Sequence, residues 1–160
     1  EGQVTVHRMI EVVVEVAAEA RDVVGAGEQE GDRVEGVEEV VAAQNRERGA
    51  AGEDAAAEAL LRAGYEILER NLRTPLGEID ILALDDGVLC VIEVKARTDD
   101  RFGSPLEAVT SAKQAKLRAL ANALLQKPRF RDAQIRFDVV AVTMGKDGEP
   151  DVEILPDAFQ

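Results

Sequence analysis

Cysteine and histidine are almost absent from this chain of 160 residues, which contains one of each, and tryptophan is missing. Cys90 cannot form a disulfide framework or a thiolate zinc site alone, and its apolar neighbours indicate a small buried side chain. Ser-His and Cys-His catalytic arrangements and imidazole metal sites lack their parts unless His7 supplies them. Any metal is therefore expected to have oxygen ligands.

Long apolar runs are lacking as well. No stretch of about 18 apolar residues predicts a membrane span, and the acidic N-terminus is not typical of a secretory signal. We therefore expect a cytoplasmic location and no membrane partner. The length of 160 residues and the hydrophobic content of 46% suit one globular domain.

Basic residues are outnumbered by acidic ones, 19 to 32, which gives a net charge of −13. This balance argues against a nucleic-acid partner, because phosphate binding depends on lysine and arginine. The distribution weakens that objection, since residues 95–136 hold ten basic and four acidic side chains. Such a basic stretch is equally typical of an ordinary solvated helix face.

Residues 1–45 differ in composition from the rest of the chain. They are acidic, rich in valine, glutamate and glycine, and contain no aromatic residue. Segments of this composition rarely bury enough apolar surface to fold. We therefore expect a disordered, low-complexity N-terminal extension at 1–45 and a folded domain at 46–160.

Helix and strand signals become clear within the second segment. Alternating apolar runs around an Asp-Gly pair predict a β-hairpin, and capping and glycine signals bound two helices. The predicted elements are a helix at 47–62, strands at 65–71, 77–84 and 88–95, a helix at 111–126, a strand at 135–143 and a short strand at 152–155. We expect an α/β fold with a mixed central sheet flanked by helices.

The predicted hairpin carries acids on one face. A two-residue turn sets Asp80 opposite Glu93 and Glu78 opposite Lys95, so that three carboxylates and one ammonium converge. Like charges directly opposed on paired strands are destabilising, and burial increases the cost. A divalent cation would relieve the repulsion, and carboxylate oxygens suit Mg²⁺ or Mn²⁺.

Each predicted helix adds one polar residue to its apolar stripe. Glu53 lies in line with Ala57 on the first helix, and Gln114 lies in line with Leu117 on the second. Both are positioned to point at the acids. For Glu53 alone, an acid favoured by the helix dipole is an equally good explanation. A simple ion pair equally explains Glu78 and Lys95.

Several segments of the chain together carry a family resemblance. They are 48–56, 64–71, Gly77-Glu78-Ile79-Asp80, Glu93-Val94-Lys95, 102–105 and 136–140. Over about residues 46–144 they closely resemble the bacterial YraN family, regarded as a predicted nuclease branch of the restriction-endonuclease-like superfamily. The layout is also similar to that of archaeal Holliday-junction resolvases. The resemblance implies an αβββαβ core in a nuclease-like domain at 46–160, with a metal site formed by Glu53, Asp80, Glu93 and Lys95.

The combined expectation is a Mg²⁺- or Mn²⁺-dependent endonuclease that acts on DNA rather than RNA, in branched or single-stranded form. Asp80 and Glu93 would bind the metal, with further ligands from Glu53 and the Val94 carbonyl. Lys95 would orient the attacking water and offset developing charge. Gln114 and Lys113 would position the phosphate. Contacts to the DNA backbone are expected from Arg97, Arg101, Lys116 and Arg118.

Two other hypotheses fit the same residues. A non-catalytic nucleic-acid-binding or DNA-repair accessory protein would bind DNA in a salt-sensitive way without cleaving it. A structural or interaction protein with merely paired acids would gain no stability from a divalent metal. A homodimer would suit a junction nuclease that makes paired incisions.

Overall fold

The computed structural model describes residues 37–97, 104–128, 130–145 and 147–160. The elements in this part of the chain are α1 (Val37–Arg62), β1 (Glu66–Thr74), β2 (Gly77–Asp85), β3 (Val88–Arg97), α2 (Ser111–Leu125), β4 (Ile135–Met144) and β5 (Pro150–Phe159). The strands form one sheet in chain order, with β3 and β4 parallel and the other neighbours antiparallel. The predicted α/β fold with a mixed sheet is confirmed. Neither described helix is both long and apolar enough to cross a membrane.

Some element boundaries differ from the prediction. The helix α1 begins at Val37 rather than at residue 47, so residues 37–45 of the predicted extension form its first turns. Residues 1–36 lie outside the described part of the chain. The last strand is also longer than 152–155, because β5 pairs with β4 along most of its length.

Two apolar layers cover the two faces of the sheet. Leu82 and Val91 belong to the layer formed with α2, whereas Ile81 and Ile92 belong to the layer formed with α1. Cys90 is fully buried in the α1 layer, which confirms its prediction as a small buried side chain. Helix periodicity predicts an apolar stripe on α2 that ends with Leu124 and Leu125. Its other members are Leu117, Leu120 and Ala121, and all of the stripe is buried except Leu125, which is partly buried against the same layer.

The hairpin of β2 and β3 has the predicted register. Asp86 and Gly87 form a two-residue turn with φ angles of +48° and +83°, as a type I′ turn requires. Asp85 therefore lies opposite Val88, and the ladder of paired residues continues to Ile81 opposite Ile92. The acids predicted to face each other come directly after this last pair.

The regular alternation of side chains breaks at the same level of the sheet. Strict alternation places Ile79 on the face of Ile81, but Ile79 packs in the α2 layer with Leu82, so that expectation is wrong. Asn71 of β1 lies level with Asp80, between two paired positions, and has a left-handed φ of +52°. At this level β1 is irregular and the β2–β3 ladder has ended. The side chains of β2 therefore do not keep their regular alternation between the two faces here.

Candidate functional site

Asp80 lies one residue beyond the last pair of the β2–β3 ladder. Its Oδ2 accepts a hydrogen bond from the Val94 N–H at 2.9 Å. The carboxylate therefore takes the place of a backbone acceptor beyond the last pair of the β2–β3 ladder. Burial, the neighbouring charge of Glu93 and a hydrogen bond between the two side chains together raise the pKa of Asp80 to about 7. The register therefore brings these two acids together, as the sequence predicts. Val94 contacts Asp80 through its N–H.

Glu93 is a buried carboxylate held by two ammonium groups. It is 3% exposed, and its Oε1 lies 2.8 Å from Nζ of Lys95. Its Oε2 lies 3.0 Å from Nζ of Lys113, at the start of α2. That second contact lacks hydrogen-bond geometry, so Oε2 is buried without a directed donor. The charge of Glu93 is thus compensated mainly by electrostatic attraction, which leaves Oε2 available to another cation.

Glu78 is not part of this cluster, contrary to the prediction. It lies opposite Arg73 in the β1–β2 ladder, and the two side chains form an ion pair at 3.6 Å. Lys95, expected opposite Glu78, pairs with Glu93 on its own strand instead. The reason is that β2 and β3 stop pairing before this level, while β1 and β2 continue to pair.

Glu53 approaches the same region from α1 but contacts a different partner. Its Oε2 accepts a hydrogen bond from Nδ2 of Asn71 at 2.9 Å, and Asn71 lies level with Asp80. The neighbouring Gly52 permits this approach, because a Cβ at that position would lie 2.9 Å from the Cβ of Ala96 on β3. Glu53 therefore contacts β1 at the level of Asp80, and within the described residues it does not complete a group of three metal-binding acids with Asp80 and Glu93.

Helix periodicity predicts that Gln114 points at the acids, but Lys113 is the residue of α2 that contacts Glu93. The Gln114 amide donates to the Val109 carbonyl at 3.1 Å and accepts from Arg118, so these contacts are local in sequence. Lys113 reaches Glu93 instead. A signal for this contact exists in the sequence, because Lys113 is four residues before the buried Leu117.

The predicted nucleic-acid contacts fall into different environments. Lys116 is exposed and lies near the β1–β2 turn, whereas Arg97 donates to the Ser104 carbonyl at 2.8 Å. Arg118 donates to the Gln160 carbonyl and lies over the ring of Phe159, 5.6 Å from its centroid. Arg118 is thus committed to contacts within the fold. Arg101 lies outside the described residues.

A second polar cluster, which the sequence did not reveal, lies in the layer of α1. Asp138 is fully buried and accepts two hydrogen bonds from Arg136 at 2.8 Å each. Arg136 also donates to Asp85 at 2.8 Å and to the hydroxyl of Tyr65 at 3.0 Å. Asp138 further accepts from the Asp157 N–H at 2.9 Å, at a bulge of β5 where φ is +51°. These groups satisfy one another, which is typical of a structural network.

The pKa of Asp80 predicts that stability falls as pH rises. The folded protein retains this proton up to about pH 7, whereas the unfolded chain loses it near pH 3.8. The folded state binds more protons between these values, so the free energy of unfolding should fall by about 1–3 kcal/mol over that range. Asp80→Asn should flatten this part of the profile, as measured by urea unfolding. The exposed Asp151→Asn is the control, and an Asp80→Asn profile parallel to that of the wild type would contradict the assignment.

Comparison with known proteins identifies the family. The family model described as "Uncharacterised protein family UPF0102" matches residues 52–142, a range that contains both acids and both lysines of the cluster. A UPF0102 protein of Symbiobacterium thermophilum is 47% identical over 115 residues, which cover 72% of this chain and 98% of the relative. A second, from Rhodococcus opacus, is 43% identical over 117 residues, which cover 73% and 99%. Since UPF0102 is the YraN family, the resemblance in the sequence motifs is confirmed, and this chain belongs to that family.

Proposed function

We propose that this protein hydrolyses phosphodiester bonds of DNA with a divalent metal ion. The proposal is carried by the pairing of Asp80 with the buried Glu93 where the β2–β3 ladder ends, with Lys95 2.8 Å from Glu93. Mg²⁺ is commonly held by one or two carboxylates together with waters and substrate phosphates. Two acids therefore fit such an ion, although no group of three His, Cys, Asp or Glu ligands occurs among the described residues.

The residues of the cluster have separate roles in this proposal. Asp80 and Glu93 would hold Mg²⁺ or Mn²⁺, the Val94 carbonyl would be a further ligand, and Glu53 would act directly or through water. The bound ion would polarise the phosphate and lower the pKa of the attacking water. Lys95 would orient that water and offset the negative charge that develops on the phosphorus oxygens.

A basic surface beside the acids supports DNA as the substrate. Lys113 and Lys116 lie on the first turns of α2, and Arg97 lies at the end of β3. Together with Arg101 they would contact the phosphates of branched or single-stranded DNA. A dimer of this chain would supply two such sites for paired incisions.

Metal-dependent cleavage tests the proposal. We expect the full chain to cut labelled junction, nicked, single-stranded or duplex DNA with Mg²⁺ or Mn²⁺ and to stop when EDTA is added. Asp80→Ala, purified in parallel, controls for contaminating nucleases. If no substrate is cut with either metal, or if Asp80→Ala cuts as fast as the wild type, the proposal is wrong.

DNA binding without cleavage is the second candidate function. The observation that favours it is the compensation of Glu93 by two lysines, which is a stable arrangement without a metal. This candidate predicts that Lys116→Ala weakens DNA binding and makes the slope of log affinity against log salt shallower by about 0.7–0.9. Binding with that salt dependence but without cleavage would favour it over the nuclease.

A further inference from the structure

The two lysines that hold Glu93 come from different elements of the fold. Lys95 is two residues from Glu93 on β3, on the same face of the strand, so the sheet fixes its approach to Oε1. Lys113 comes from the first turn of α2, and 31% of its side chain is exposed. Its long aliphatic stem can therefore turn from Glu93 toward solvent without disturbing the sheet.

The Lys113 contact is also the longer of the two. Its Nζ lies 3.0 Å from Oε2 but outside hydrogen-bond geometry, and the Lys95 contact is shorter at 2.8 Å. The N-terminal end of a helix carries partial positive charge, which disfavours an ammonium group there. Thr110 caps this helix by accepting from the Lys113 N–H, so the backbone of Lys113 stays in place when its side chain moves.

Charge balance shows what a divalent ion would require. With a metal bound, Asp80 and Glu93 together carry at most two negative charges, so a divalent cation and the two ammonium groups would leave an excess of two positive charges. Close like charges in a partly buried site repel strongly, so metal binding would favour the departure of one ammonium group. The geometry selects Lys113, because Oε2 is the buried oxygen without a directed donor.

We propose that Lys113 is a latch that exchanges partners: it pairs with Glu93 Oε2 in the metal-free protein and turns to a phosphate of the nucleic acid when a divalent metal takes its place. The inference rests on the proposed nuclease function, because it concerns the same acid pair. It makes Lys113 a positioning residue that opposes metal binding in the absence of DNA and supports it in the presence of DNA.

The test measures metal affinity without nucleic acid. Lys113→Met keeps the aliphatic stem and removes the charge, so Mn²⁺ titration calorimetry should show binding about 3- to 10-fold tighter than in the wild type. The same variant should cleave DNA more slowly at saturating metal. Lys113→Arg keeps the charge and should retain the weaker metal affinity. Lys116→Met, on the exposed side of the same helix, should leave metal affinity unchanged.

The outcomes separate the latch from the proposed function. If the wild type binds Mn²⁺ and Lys113→Met binds it equally or more weakly, the latch is wrong and the nuclease proposal stands. If neither protein binds Mn²⁺ while both remain folded by circular dichroism, both proposals are overturned. If Lys113→Met fails to fold, Lys113→Gln decides: Mn²⁺ binding tighter than in the wild type supports the latch, and equal or weaker binding overturns it.

Discussion

Asp138→Ala is expected to lower the free energy of unfolding by about 3 kcal/mol, the lower end of the range for breaking a buried ion pair, because Arg136 keeps Asp85 as an acidic partner. Asp138 is fully buried and receives two hydrogen bonds from Arg136. Its loss also leaves the Asp157 N–H at the β5 bulge without this acceptor. Urea unfolding at neutral pH measures the change.

Tyr65→Phe is the matched control for this prediction. It removes one hydroxyl from the same network, which donates to Asp138 at 3.2 Å, and it preserves the ion pair. The expected loss is about 1 kcal/mol, the usual net contribution of a single hydrogen bond. Equal losses of stability for the two variants, or a smaller loss for Asp138→Ala than for Tyr65→Phe, would contradict the structural role of the ion pair.

If the proposed nuclease function is correct, Lys95→Met is expected to slow DNA cleavage by about 10²–10³-fold at saturating metal, because it removes the positive charge proposed to offset developing negative charge. Asp80→Ala is expected to lose at least as much, since it removes a proposed metal ligand. The measurement is the single-turnover cleavage rate with Mg²⁺. It separates the chemical step from product release.

The control for Lys95→Met is Lys127→Met. Lys127 follows α2 at the end opposite to Lys113, so the same loss of charge occurs away from the acid pair. Its cleavage rate should stay within about twofold of the wild type, because a distant surface charge acts mainly through screened electrostatics. If both variants lose activity equally, net charge rather than the position of Lys95 explains the effect.

The acid pair could be predicted because its determinants are local in sequence. A two-residue Asp-Gly turn fixes the pairing of both strands, and Asp85 does lie opposite Val88. The apolar stripe of α2 follows from helix periodicity in the same way. Such patterns need no knowledge of which elements become neighbours.

The remaining features depend on contacts between distant segments. The pairing of Glu78 with Arg73 depends on where the β2–β3 ladder ends. Counting residues from the turn predicts which residues face each other but not where the pairing stops. The contact of Lys113 with Glu93 depends on how α2 is rotated over the sheet. The network around Asp138 joins residues 65, 85 and 136, which no sequence period relates.

Thermal melting with a divalent metal is the decisive test of a metal site at Asp80 and Glu93, because a ligand that binds only the folded state must raise the melting temperature. At neutral pH, we predict that Mn²⁺ or Mg²⁺ raises the melting temperature of the wild type in a concentration-dependent way. Asp80→Asn should show no such rise, although it should be the more stable protein without metal. Identical melting of the wild type with and without metal, or equal rises in both proteins, would contradict the assignment of Asp80 and Glu93 as a metal site.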